Sequence, residues 1–150
     1  VDCSAGCWRI IDGQFEDVGE SGGNHNVYVR MYVEGVSVPD RPFHLFYPTG
    51  NDRALTKPEP DWGDIPIFAC YGEGETGAYG VYAGDEAARS DVVHGVGLPE
   101  CQHVNFRFSW QWVAPGGEVP TPVPTAAATP VPCAACDRRL YLPIIKRGSP

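Results

Sequence analysis

The sequence predicts an all-β protein: an immunoglobulin-like antiparallel β-sandwich followed by an extended Pro-rich spacer and a terminal β-strand. Three observations carry this. Residues 103–112, "HVNFRFSWQW", alternate strictly, with Val104, Phe106, Phe108, Trp110 and Trp112 on one face and His103, Asn105, Arg107, Ser109 and Gln111 on the other. That period of two is the one a strand imposes, with one face in a core and the other wet. Short apolar runs recur between turn clusters such as "PTGND" and "YGEGETG", and no segment carries the helix period. Gly 18 and Pro 15 in 150 residues also favour short strands joined by turns over long helices.

The elements follow in order. "WRIIDGQFE" (8–16) reads as a first strand, joined through the Gly-rich "GESGGN" turn to "VYVRMYV" (27–33), where Val27, Val29, Met31 and Val33 share one face. "PFHLFYP" (42–48), "IPIFACY" (65–71), "YGVYA" (79–83) and "DVVHGVG" (91–97) are further short strands, and "HVNFRFSWQW" closes the sandwich. The domain boundaries are therefore 1–113 for the sandwich, 114–136 for a Pro/Thr/Ala-rich spacer carrying a Cys pair, and 137–150 for a basic terminal strand. The spacer is expected to be extended, with Thr121, Thr125 and Thr129 as O-glycosylation candidates.

Charge divides unevenly. Residues 1–114 hold 17 Asp and Glu against 7 Lys and Arg, whereas residues 115–150 hold 2 against 4. An acidic body disfavours nucleic acid and anionic membrane surfaces, which are held by Lys and Arg. Apolar runs are broken by Pro, Gly or charge within about ten residues, too short for a membrane helix, so no membrane insertion is expected. Six cysteines, Cys3, Cys7, Cys70, Cys101, Cys133 and Cys136, form an even set, and the first residue is Val, as if a leader had been removed. A secreted, extracellular or cell-surface protein with disulfides is the reading that follows. Cys70 and Cys101 are candidates for a bridge within the sandwich. Cys3 with Cys7 and Cys133 with Cys136 either close locally or bridge to one another.

The tail poses a question of economy. Within "LYLPIIK", Leu140, Leu142 and Ile144 face one way and Tyr141 and Ile145 the other, and Pro143 confines the segment to a sheet edge. Burying three such aliphatic side chains is worth roughly 1.5–3 kcal/mol each, so the strand is expected to be covered. The spacer reaches up to about 75 Å at ~3.1 Å per residue, well beyond a body about 35 Å across. Leu140, Tyr141, Leu142, Ile144 and Ile145 are thus the candidate inter-subunit strand, added to the edge of a neighbouring copy as in donor-strand complementation. Arg138, Arg139, Lys146 and Arg147 would lie against an acidic body.

This Pro/Thr spacer with its terminal "LYLPIIKR" resembles the C-terminal signature of secreted surface proteins of green non-sulfur bacteria. "TKPEPDWGDIPIFACYGEGETGAYGVYAG" leading to "GLPECQHVNFRFSW" is similar to the immunoglobulin-like modules of those proteins. The resemblance implies an extracellular location and a structural or adhesive role. It brings no catalytic residues.

Catalytic motifs are weak. "GESGG" (19–23) approaches the Gly-Asp-Ser-Gly-Gly of trypsin-like proteases at Ser21, but those proteases need a His and an Asp upstream, and no His precedes it. It reads as a turn. Glu59, Asp61, Asp64, Glu73 and Glu75 supply oxygen ligands without an EF-hand pattern, and solvated acidic loops are the reading. His25, His44, His94 and His103 have no metal-ligand spacing, and four cysteines on zinc are disfavoured in an exported chain. No enzyme, cofactor or metal is expected. The expected function is a structural subunit of an extracellular filament, its partner another copy of itself. The alternative is a surface adhesion or carbohydrate-binding module with the tail folded onto its own domain, in contact with a glycan or cell wall through Tyr28, Tyr32, Tyr79 and Tyr82.

Overall fold

The computed structural model describes residues 1–118 and the strand at 144–146. Among these residues the strands are β1 (Cys7–Glu16), β2 (Asn26–Val33), β3 (Val36–Ser37), β4 (Pro42–Tyr47), β5 (Gly50–Leu55), β6 (Gly63–Pro66), β7 (Cys70–Tyr71), β8 (Gly77–Ala83), β9 (Val92–Gly95), β10 (Leu98–Pro99), β11 (Asn105–Val113) and β12 (Ile144–Lys146). A 3-10 turn at Ala87–Arg89 is the one helical piece among the described residues. None of their helices is long and apolar enough to cross a membrane.

Two five-stranded sheets form the body. In the first the order is β1-β11-β2-β3, with β6 pairing β2 beside β3; in the second it is β12-β9-β8-β4-β5. A small parallel pair, β10-β7, stands apart from both. The first sheet contributes Ile10, Val27, Val29, Met31, Phe106, Phe108 and Trp110 to one continuous core, and the second contributes Phe43, Leu45, Val81, Ala83 and Val93. This is the interdigitation expected of a β-sandwich.

The alternating strands behave as their patterns require. Val27, Val29 and Met31 are fully buried, as are Phe106, Phe108 and Trp110 on β11. The opposite face of β11 is drier than alternation predicts, since Asn105 and Ser109 are also buried. β11 is flanked by β1 on one side and β2 on the other, and its short polar side chains are screened between them. Asn105 is satisfied there, accepting from the Asn26 N–H at 2.9 Å and donating to Glu16 Oε2 at 2.8 Å.

Three features depart from the sequence reading. β1 and β2 are consecutive but not neighbours, because β11 inserts between them, antiparallel to β1 and parallel to β2. The run 65–71 is split into β6 and β7, which join different sheets. Residues 50–55, which carry no apolar alternation, form β5 and pair with β4 from Pro42↔Leu55 to Tyr47↔Gly50.

Trp110 is the largest fully buried side chain and also donates its indole N–H to the Asp91 carbonyl at 3.2 Å. Trp110→Ala is therefore expected to lower unfolding free energy by about 3–5 kcal/mol. Denaturant titration checks this, and a loss near zero would mean that the two sheets do not pack through this residue.

Candidate functional site

The edges of the second sheet are built differently. β5, at one edge, presents "GNDRAL", with Asn51, Asp52 and Arg53 exposed. Charged and polar side chains of this kind discourage pairing with another chain. β9, toward the other edge, reads "VVHG": it has no charged residue, and Val93 is completely buried. An uncharged strand with open backbone donors and acceptors on one side needs a cover.

The start of β9 is fixed by a buried network. Asp91 Oδ2 accepts from Arg9 Nε at 2.9 Å and from the Ile10 N–H at 3.0 Å. The Asp91 N–H donates to the Trp8 carbonyl at 2.9 Å, next to a parallel bridge between Trp8 and Ser90. Ser90 Oγ accepts from the Ala83 N–H and donates to the Asp91 carbonyl. The beginning of β1 therefore occupies the β9 edge up to residue 91, and no further.

The far end of β9 is fixed by other means. Val96 and Tyr79 exchange backbone hydrogen bonds at 3.0 and 3.2 Å. A Cβ at Gly77 would stand 2.0 Å from the Val96 carbonyl oxygen, so only glycine allows β8 to approach this closely. Beyond it, β10 pairs with β7 and the Cys70–Cys101 disulfide ties the two loops together. A bridge of this span contributes roughly 3–4 kcal/mol in the chain-entropy account.

Between these two fixed ends lies a short open stretch, and β12 fills it. The ladder is antiparallel, with Ile144↔His94, Ile145↔Val93 and Lys146↔Val92. β12 is an edge strand that begins directly after Pro143, as a proline unable to donate to a ladder requires. Of the candidate inter-subunit strand, Ile144 and Ile145 thus have a backbone position on β9 of their own chain. Leu140, Tyr141 and Leu142 lie outside the described residues, as do Cys133, Cys136 and the spacer from residue 119.

The remaining candidates are dispersed. Cys3–Cys7 closes locally and Cys70–Cys101 bridges within the body; both are compatible with an extracellular protein. Ser21 is buried in a turn closed by its N–H on the Asp17 carbonyl at 2.8 Å, and its hydroxyl donates to the distant His103 carbonyl at 2.8 Å. Glu59 faces Arg30 at 3.9 Å, Asp64 pairs with Lys57, and Glu75 accepts from the Gly72 N–H at 2.8 Å. Among the described residues no three His, Cys, Asp or Glu side chains converge where they could hold a metal ion.

His25 and His103, far apart in sequence, have ring centroids 5.0 Å apart, and each bonds a backbone carbonyl through Nδ1. The four tyrosines do not share a surface. Tyr28 and Tyr32 belong to the first sheet, Tyr82 stacks on His44 in the second, and the Tyr79 hydroxyl accepts from the backbone of Phe68 and Ala69.

Asp91 is the residue that sequence reasoning missed; a single acid leading an apolar strand was its only signal. Removing its carboxylate strands the Ile10 N–H and Arg9, so Asp91→Ala is expected to cost about 3 kcal/mol. Hydrogen exchange should show the β9 amides losing protection ahead of those in β2, and uniform loss across both strands would count against a local role. No family model, curated protein or solved structure matches this chain.

Proposed function

We propose that the chain is a structural subunit of an extracellular filament or surface assembly, joined to the next copy by handing its C-terminal strand to that copy's β9 edge. The observation that carries the reading is the pairing of a terminal strand with the uncharged edge of the second sheet, an edge framed at both ends by buried contacts. The same antiparallel register serves whether the strand comes from its own chain or from another, which is the condition for strand exchange.

Reach supports exchange. The 25 residues from 119 to 143 can span up to about 75 Å when extended, about twice the width expected of the body. Charge supports it too, because a tail carrying Arg138, Arg139, Lys146 and Arg147 approaches a body rich in Asp and Glu. In this reading the body is an immunoglobulin-like module and Cys133 and Cys136 add covalent links between copies, since Cys3 and Cys7 are closed on each other.

A second reading, an adhesion or carbohydrate-binding module with the tail folded onto its own domain, is favoured by the ladder between β12 and β9 within one chain. Negative-stain microscopy and non-reducing electrophoresis of the full chain beside one truncated after Pro132 separate the two. Strand exchange predicts fibres or covalent ladders from the full chain and monomer from the truncation. If both are monomeric and truncation lowers only the melting temperature, the tail belongs to its own domain.

A further inference from the structure

A second concave feature lies on the outward face of the first sheet, away from β9. The loop between β5 and β6 rises beside β2 and β11 and encloses an open groove of about 500 Å³. Tyr28 and Arg107, register partners on β2 and β11, form its floor, and Asp64, opposite Tyr28 on β6, continues it. Lys57, Asp61 and Trp62 form its wall.

Trp62 is held in place rather than free. The Arg30 guanidinium lies 4.2 Å from its ring centroid and that of Arg107 lies 5.1 Å away, while Arg107 also sits 4.5 Å from the Tyr28 ring. Such cation–π contacts fix the orientation of an indole. Next to it, a Cβ at Gly63 would stand 2.5 Å from the Leu55 carbonyl oxygen, so the loop is pressed against β5 as only glycine allows. An aromatic wall with a locked orientation loses little entropy when a ligand arrives.

Charge selects the ligand. Arg107 is paired with Glu16, Arg30 with Glu59 and Lys57 with Asp64, and the Lys57 pKa is raised chiefly by its hydrogen bond to Asp64. Each cation of the groove is therefore matched by a carboxylate, and Asp61 adds one further negative charge, so no excess positive field is left to hold an anion. What remains is two aromatic rings beside a dense set of donors and acceptors. That combination suits a ligand with apolar C–H faces and many hydroxyl groups.

We propose that this groove binds a neutral carbohydrate, with a sugar ring against Trp62 and Tyr28 and its hydroxyl groups bonded to Asp61, Asp64, Lys57 and Arg107. The site is on the other sheet from β9, so it stands or falls apart from strand exchange, and a full chain that fails to assemble can still be scored for it.

The test is a glycan array carrying neutral and acidic oligosaccharides, probed with the full chain. Neutral glycans should bind, with a signal that changes less than twofold between low and high salt. Trp62→Ala should cut the signal at least tenfold, while Phe68→Ala, at an exposed aromatic outside the groove, should leave it unchanged. If Trp62→Ala also lowers the melting temperature, Asp61→Asn at the exposed rim carries the test, with an expected loss of three- to tenfold. Binding to acidic glycans alone, no binding to any neutral glycan, or full binding by Asp61→Asn together with Trp62→Ala would overturn the proposal.

Discussion

The Asp91 carboxylate holds the sandwich together at the point where its two sheets meet. Through Arg9 and the Ile10 N–H it ties the first strand of one sheet to the residue that leads into β9 of the other. The Asp91 carbonyl receives the indole N–H of Trp110, so the same residue also fixes the centre of the core. A buried carboxylate is costly to desolvate, and Asp91 offsets that cost through Oδ2, its Oδ1 being buried without a hydrogen-bond partner among the described residues. Core packing between the sheets and the placement of β9 are therefore not independent.

With the position of β9 set, the rest of the second sheet explains the role of its edges. β5 is held to β4 by backbone pairing and turns Asn51, Asp52 and Arg53 to solvent. β9 carries no comparable deterrent, and its burial of Val93 requires a partner strand or an equivalent cover. Contacts at Ser90 and Val96 fix the two ends of β9 independently of β12.

What was legible in the sequence follows from physical range. β2 and β11 were readable because period-two alternation is local and their core faces are apolar. β5 was not, since "GNDRAL" owes its conformation to hydrogen bonds with β4 rather than to burial. The insertion of β11 between β1 and β2 depends on contacts across the whole body, which no local pattern encodes. Cys70 and Cys101 were candidates for a bridge because each lies in or beside a strand, but sequence left the pairing of the six cysteines open, and the structure joins them. In "KPEPDWGD" the acids drew attention, whereas the stacking of Arg30 and Arg107 on Trp62 depends on strands distant in sequence. The terminal strand was recognised as needing a cover, and Pro143 correctly marked it as an edge element, but which edge would receive it was not written in its residues.

The unequal edges of the second sheet have a geometric consequence. In the proposed assembly each body, with one receptive side and one strand to give, is a polar object with a distinct head and tail. Copies linked through that contact all point the same way, and the two ends of such an array differ chemically: one exposes a vacant β9, the other an unused strand. Growth and termination at the two ends are then separate events, each open to its own control.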